Sequence, residues 1–147
     1  MNIDEISLQI IKHLLDGRKS FREIGKDLSI TTNTVRGRVK KLTKSGVLEI
    51  VGLIDPERID NHFLVIVGVR LKTMRLVDKG EEFSKLKDVI SVAVVTGRFD
   101  LILTVLLNNK LGLHEFYAQE VSKIEDVMWT ETFVVYKNCS GKMPYNL

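Results

Sequence analysis

The residues best equipped for chemistry lie between Thr31 and Ser45. This stretch carries five cations, Arg36, Arg38, Lys40, Lys41 and Lys44, and no acid. On a wheel stepped at about 100° per residue, Val35, Val39 and Leu42 gather on one side. Asn33, Arg36, Gly37, Lys40 and Lys44 are left on the other. Such a face suits a recognition helix in the major groove of double-stranded DNA, its first turn reaching base edges through Thr32, Asn33 and Arg36 while the later lysines approach phosphates. The expected contact set is Thr31, Thr32, Asn33, Thr34, Arg36, Gly37, Lys40 and Lys44. The plainer alternative is a solvated basic helix face.

Nothing comparable supports catalysis. His13, His62 and His114 are isolated, no His-Glu-x-x-His occurs, and Cys139 is the single cysteine. Gly-x-Gly-x-x-Gly, Gly-x-Ser-x-Gly and P-loop patterns are missing, and Gly25-Lys26 lacks both an upstream glycine and a following Ser or Thr. A binding protein without metal or cofactor is expected, not an enzyme.

A basic face needs a support to hold it outward. Ile6, Ile10, Ile11, Leu14 and Leu15 recur at helical spacing behind Asp4, a good N-cap, and predict a helix over about 5–15. Ile3 and Leu8 are spaced for a hydrophobic staple, and Asp16-Gly17-Arg18 supplies a stop in which Gly17 can take positive φ. Ser20-Phe21-Arg22-Glu23 matches a capping box and opens a short helix to about Leu28. Ser29-Ile30 leaves only a tight turn before Thr31 caps the third helix, which Gly46 ends. With the extended, β-branched residues 47–54 behind them, these helices predict a helix-turn-helix followed by a strand or wing.

From residue 63 the pattern changes to Phe-Leu-Val-Ile-Val-Gly-Val-Arg-Leu-Lys, a buried strand by length and β-branching. A charged helix over 78–87 follows, with Phe83 and Leu86 at helical spacing, and then a strand over 90–95. The turn Thr96-Gly97-Arg98-Phe99-Asp100 leads into a strand over 101–107. A helix over 111–124 carries Leu113, Phe116, Tyr117, Val121 and Ile124 as its stripe, and 127–136 is the last strand. The order β-α-β-β-α-β predicts a ferredoxin-like α+β domain with both helices on one sheet face. Val65, Val67, Val69, Val92, Val94, Leu103 and Val105 make these strands too apolar for a sheet with one wet side. A second copy of the chain is the expected cover; the plainer alternative is a monomer with a lightly apolar surface. RNA binding on this half would want aromatic and basic residues on the central strands, which offer valine and leucine instead.

Composition narrows the class further. Of 147 residues, 44% are hydrophobic and 28% charged, with only two prolines, which excludes disordered and collagen-like chains. The longest apolar runs are seven residues, against the ~18 needed to cross a bilayer. No membrane span is expected. Two early acids argue against a secretory signal and the lone cysteine against a disulfide framework, so a cytoplasmic protein is expected. Residues 1–55 hold ten Lys/Arg against seven Asp/Glu, while 56–147 hold twelve of each. The whole excess of positive charge belongs to the helical third, as a module meeting a polyanion requires.

Ile3-Asp4 leading to Ile10-Ile11, Asp16-Gly17-Arg18-Lys19-Ser20, Thr34-Val35-Arg36-Gly37-Arg38-Val39-Lys40-Lys41-Leu42, Gly46-Val47-Leu48, Asp55-Pro56, Gly97-Arg98-Phe99-Asp100 and Thr132 follow one another down the chain. In order and spacing this series resembles the Lrp/AsnC family of transcriptional regulators over nearly the whole length. The resemblance implies a winged helix-turn-helix DNA-binding domain over 1–55, a linker over 56–62, a ferredoxin-like regulation domain over 63–137 and a tail over 138–147. It implies a sequence-specific regulator that senses a small molecule, in particular an amino acid, and forms homodimers able to assemble into tetramers or octamers. The family's effector pocket lies between subunits, which by position points to Gly97, Arg98, Phe99 and Asp100 with Thr130 and Thr132 of a neighbour. There an Asp could accept from an α-ammonium, while turn N–H groups or threonine hydroxyls could donate to a carboxylate. Gly-x-x-Asp is equally good hairpin chemistry.

The chain departs from the family pattern at Gly25, where alanine is usual, at Asp60, a common glycine position, and at Leu101, often aromatic. Two other readings fit the same architecture: an amino-acid-sensing interaction module without DNA binding, and an enzyme like the siroheme decarboxylases. The latter carry a His/Tyr motif near the ligand turn that residues 96–100 lack.

Overall fold

In the computed structural model, which describes residues 3–108, 112–139 and 141–144, the chain divides into two units, Met1–Val51 and Gly52–Leu147. The first is built on three capped helices. Asp4 accepts from the Ser7 N–H at 2.9 Å and opens α1, Glu5–Leu14. Ser20 and Glu23 close a reciprocal capping box on α2, Phe21–Asp27, and Thr31 accepts from Thr34 N–H at 3.1 Å to open α3, Thr32–Lys44. Ile10, Ile24, Val35 and Val39 form the core, with Leu14, Phe21, Leu28, Ile30 and Leu48 packed around it. The inward face of α3 is the one its periodicity predicts.

The turn between α2 and α3 is tighter than its residue types suggest. Ile30 N–H donates to Gly25 O at 2.9 Å and Ser29 N–H to Lys26 O at 3.3 Å, a Schellman motif in which Ser29 takes φ 54° where glycine is usual. The helices approach so closely that a Cβ on Gly25 would lie 2.8 Å from Ile30 O and 3.3 Å from Thr32 N. The same motif ends α3, with Gly46 at φ 71°.

Two local expectations fail in this unit, and a third, at its C-terminal end, holds in part. Gly17 does not adopt positive φ; α1 ends through short bonds from Leu15 to Lys12 O and Asp16 to His13 O, and Asp16 then accepts from Arg18 N–H. Leu15 is 86% exposed and leaves the core stripe. Of the strand or wing expected over 47–54, only a short strand forms. Within 47–54 the one strand is β1, Leu53–Ile54, whose partner is Met143–Pro144, a strand inside the expected tail. Residues 47–51 have no antiparallel neighbour, so their β-branched character finds no ladder. Linker and tail are also joined by Glu57, which pairs with Lys137 Nζ at 2.5 Å and accepts from Asn138 N–H.

In the second unit four antiparallel strands follow β1: β2 His62–Leu71, β3 Val89–Val94, β4 Leu101–Asn108 and β5 Val127–Val134, ordered β3-β4-β2-β5. This is the ferredoxin-like order. Helix α4, Leu76–Ser84, and a helical segment over 113–123 cover one face. That segment is not the regular helix predicted from 111, a start that lies outside the described residues. It runs from an α turn through a π turn, Phe116–Glu120, into a 3₁₀ turn, Val121–Lys123. The buried pair Phe116 and Val121 is spaced by five, and the π turn's Val121 N–H to Phe116 O bond sets both on the sheet side.

The sheet also corrects the argument for a second copy. Val65, Val67, Val69, Leu103 and Val105 face the helices, in one core with Phe83, Leu86 and Phe116, and Val92 packs against it. Apart from Val94, which stays exposed, the valines that made the strands look too apolar are satisfied within the chain. The open face carries Leu64, Ile66, Gly68 and Arg70 of β2, opposite Leu106, Thr104 and Ile102 of β4 and Phe133, Glu131 and Trp129 of β5.

Substitutions at the α2–α3 turn should act in opposite directions. Gly25→Val forces two backbones apart and is expected to destabilise the first unit by roughly 1–3 kcal/mol. Ser29→Gly relieves a left-handed residue and should stabilise it by up to ~1 kcal/mol. Thermal unfolding followed by circular dichroism checks both; equal midpoints for the two variants would contradict this geometry.

Candidate nucleic-acid interface and effector turn

Buried Val35, Val39 and Leu42 turn the opposite side of α3 to solvent. Thr31, Asn33, Thr34, Arg36, Gly37, Lys40 and Lys44 are exposed there, and Thr32 is half-buried, so the structure brings the whole predicted set onto one end and face. Among the described residues Arg36, Lys40, Lys41 and Lys44 have no carboxylate partner within ion-pair distance. Arg36 Nη1 donates to Asn33 Oδ1 at 3.1 Å, which holds the guanidinium over the first turn.

Arg38 has a different task. Its Nη1 reaches both Asp4 oxygens at 2.6 Å and Ser7 Oγ at 3.0 Å, tying the start of α1 to the middle of α3. Hydrogen bonds from Arg38 and then from Ser7 hold the Asp4 carboxyl well below the usual carboxylate range. Glu23 is lowered by Ser20, and Asp27 by Lys19 at 2.5 Å.

The turn between β3 and β4 is also built from inside the chain. Asp100 Oδ1 accepts from Arg70 Nη1 at 3.0 Å and Oδ2 from Leu71 N–H at 2.8 Å, so both oxygens already brace the end of β2. Gly97 sits at φ 130°, and its carbonyl accepts from Arg70 at 3.4 Å. Phe99 lies flat on Gly68, where a Cβ would come within 2.5 Å of the ring. Trp129 and Phe133 meet Phe99 edge-on at 5.5 and 6.3 Å. The Arg98 guanidinium stands 5.7 Å from both the Phe99 and Trp129 ring centres and 3.0 Å from Glu131 Oε2. That oxygen is buried and, among the described residues, makes no geometrically sound hydrogen bond.

Thr130 and Thr132 are not part of this cluster. They pair with Val69 and Val67 and therefore face the helix layer, where Thr132 Oγ1 meets Tyr117 Oη at 2.6 Å. A cavity of about 250 Å³ lies elsewhere, between the Pro56–Arg58 turn and the ends of β2 and β5, and none of the expected effector residues line it. Sequence reasoning missed Gly68, Arg70, Trp129 and Glu131. A glycine inside a β-branched strand was a readable sign of close approach, and Trp129, Glu131 and Phe133 alternate with the threonines on β5.

Two predictions follow from these contacts. Asp4, Glu23 and Asp27 have folded pKa values below their unfolded ones, so their stabilisation is complete above the ordinary carboxylate pKa and fades as pH falls below about 4. Asp4→Asn keeps a capping oxygen but loses the ion pair, and thermal midpoints measured from pH 6 to 3 should fall less steeply for it than for the wild type; parallel curves would contradict this. Gly68→Val should expel Phe99 from the sheet and be visible as changed Trp129 fluorescence with a loss of about 1–3 kcal/mol in stability. An unchanged spectrum would refute the packing.

Comparison with known proteins agrees with this geometry. The chain matches the AsnC-type helix-turn-helix domain over residues 3–43 and the Lrp/AsnC ligand binding domain over 64–144. An HTH-type transcriptional regulator of Pyrococcus abyssi is 33% identical over 135 residues, covering 90% of this chain and 91% of that one. The regulator Ptr1 of Methanocaldococcus jannaschii is 29% identical over 147 residues, covering 97% and 99%. Among solved structures, Escherichia coli AsnC superposes with a TM-score of 0.71 at 19% identity, over 96% of this chain and 97% of that one. A transcriptional regulator of Neisseria meningitidis in complex with L-Met gives 0.72 at 17% identity, over 99% and 97%. No described helix is long and apolar enough to cross a membrane. The two matched domains, in this order and over most of the chain, show that it belongs to the Lrp/AsnC family of transcriptional regulators.

Proposed function

We propose that α3 enters the major groove of double-stranded DNA, with Thr32, Asn33 and Arg36 at base edges and Lys40 and Lys44 on phosphates. The observation that carries this reading is the exposed, acid-free face whose four cations have no carboxylate partner among the described residues, beside a buried apolar one. Thr31, Thr34 and Gly37 complete the contact surface. Because Asn33 already orients Arg36, less side-chain freedom is lost when the guanidinium pairs with guanine. The protein acts as a regulator in the compartment that holds its DNA, the cytoplasm, and performs no catalysis.

The second unit is read as an amino-acid sensor that joins copies of the chain into dimers and larger assemblies. Its effector site is centred on Gly97, Arg98, Phe99 and Asp100 of one copy; Thr130 and Thr132, expected from a neighbouring copy, face the helix layer of their own chain and would join it only by turning from that layer. Arg98 and the turn N–H groups suit a carboxylate. Asp100 braces the turn, so Glu131, whose Oε2 faces Arg98 at 3.0 Å and lacks a hydrogen bond among the described residues, is the acceptor left for an ammonium group that would share or displace that ion pair. The L-Met bound to the Neisseria protein of the same fold supports this ligand class.

Selection of bound genomic fragments with and without pooled amino acids tests both halves together. A recovered motif whose yield changes with amino acids is expected; no recovery at low salt would leave a sensing module without DNA binding. On the recovered site Arg36→Ala should weaken binding by ~1–3 kcal/mol and relax preference at one base pair, whereas Lys44→Ala should weaken all sequences alike. Unchanged binding by both variants would refute the assignment of α3.

A further inference from the structure

Three glycines lie inside described helices, each lowering the folding equilibrium roughly fivefold relative to alanine at an exposed site. Two are packed within the protein. Gly25 admits the α2–α3 turn, where a Cβ would clash, and Gly80 lies against the sheet, where a Cβ would stand in ordinary van der Waals contact with Val94 at 3.4 Å and Leu101 at 3.7 Å. Gly37 is packed against nothing. It is exposed in the middle of α3, has ordinary helical φ, and a Cβ there would meet nothing within 4 Å. Its neighbours one turn away, Asn33, Thr34, Lys40 and Lys41, are all exposed polar residues.

The gap falls between two groups with distinct tasks. Asn33 and Arg36 form the bonded pair on the N-terminal side, and Lys40 and Lys44 stand on the C-terminal side. A side chain at 37 would project between them, out of the same face. Resting on the DNA-binding reading above, we propose that Gly37 is a specificity-determining position where the helix backbone closes on the groove floor, the missing Cβ leaving room for a projecting base edge. Glycine offers only an apolar Cα surface, so the edge it suits is one that needs no hydrogen bond, the thymine C5-methyl.

Alanine is the informative replacement because the protein itself accepts it. The full chain is compared with Gly37→Ala on two duplexes of equal length: one selected from random-sequence DNA by the wild type, and one unrelated. The variant should unfold at higher temperature yet bind the selected duplex about tenfold more weakly, while its affinity for the unrelated duplex changes by less than about threefold. Reselection with the variant should alter preference at one or two adjacent base pairs, a thymine among them. Equal affinity for the selected duplex, or an equal loss on both duplexes, overturns the proposal. Failure of the wild type to bind either duplex overturns the DNA-binding reading itself, a separate result.

Discussion

The 3.6-residue period of the α-helix divides α3 between two tasks, and the first unit depends on that division. Burying Val35 and Val39 against Ile10 and Ile24, with Leu42 buried on the same face, leaves only one orientation for the helix about its own axis. Every cation that is not pinned by the scaffold then faces water. Removing five positive charges from solvent would be far more expensive than leaving them there, so the apolar stripe and the charges select the same rotation. Arg38 shows where the division is drawn: it lies at the edge of the buried face and is neutralised by Asp4, while its neighbours stay unpaired. The close approach at Gly25 sets the angle at which α2 supports this helix.

The second unit applies a similar constraint to a sheet. Side chains on β2 alternate, so Val65, Val67 and Val69 serve the helix-covered core while Ile66, Gly68 and Arg70 serve the open face. Gly68 is the vacancy into which Phe99 folds, and Arg70 and Leu71 then hold Asp100. The Gly97–Asp100 turn is therefore positioned by three residues of one strand, Gly68, Arg70 and Leu71. This leaves Arg98 outward over Phe99 and Trp129, paired with the half-buried Glu131 on an aromatic floor.

Much of the architecture was legible because its signals are local. Asp4, Ser20 and Thr31 cap helices where their spacing from the apolar stripes says they must, and the strand and helix order of the second unit follows from hydrophobic periodicity. The errors arose where partners are distant in sequence. Residues 47–54 carry β-branched side chains, but a strand exists only where a partner is found, and Leu53–Ile54 finds one ninety residues on, at Met143–Pro144. Apolar content along the strands was readable, whereas the face each valine occupies depends on register. The exposed basic face proposed to meet DNA was legible because one helix carries it; the surroundings of Asp100 were not, since Arg70, Trp129 and Glu131 arrive from two other strands.

The central claim is that unpaired cations on α3 meet DNA phosphates, and the salt dependence of binding tests it most directly. Each neutralised phosphate contributes about −0.9 to the slope of log affinity against log salt. Titration of the full chain onto its selected duplex between about 50 and 200 mM salt should give a linear decline whose slope shrinks by about one unit when Lys40 is replaced by alanine. An affinity indifferent to salt, or a slope unmoved by that replacement, would contradict the account.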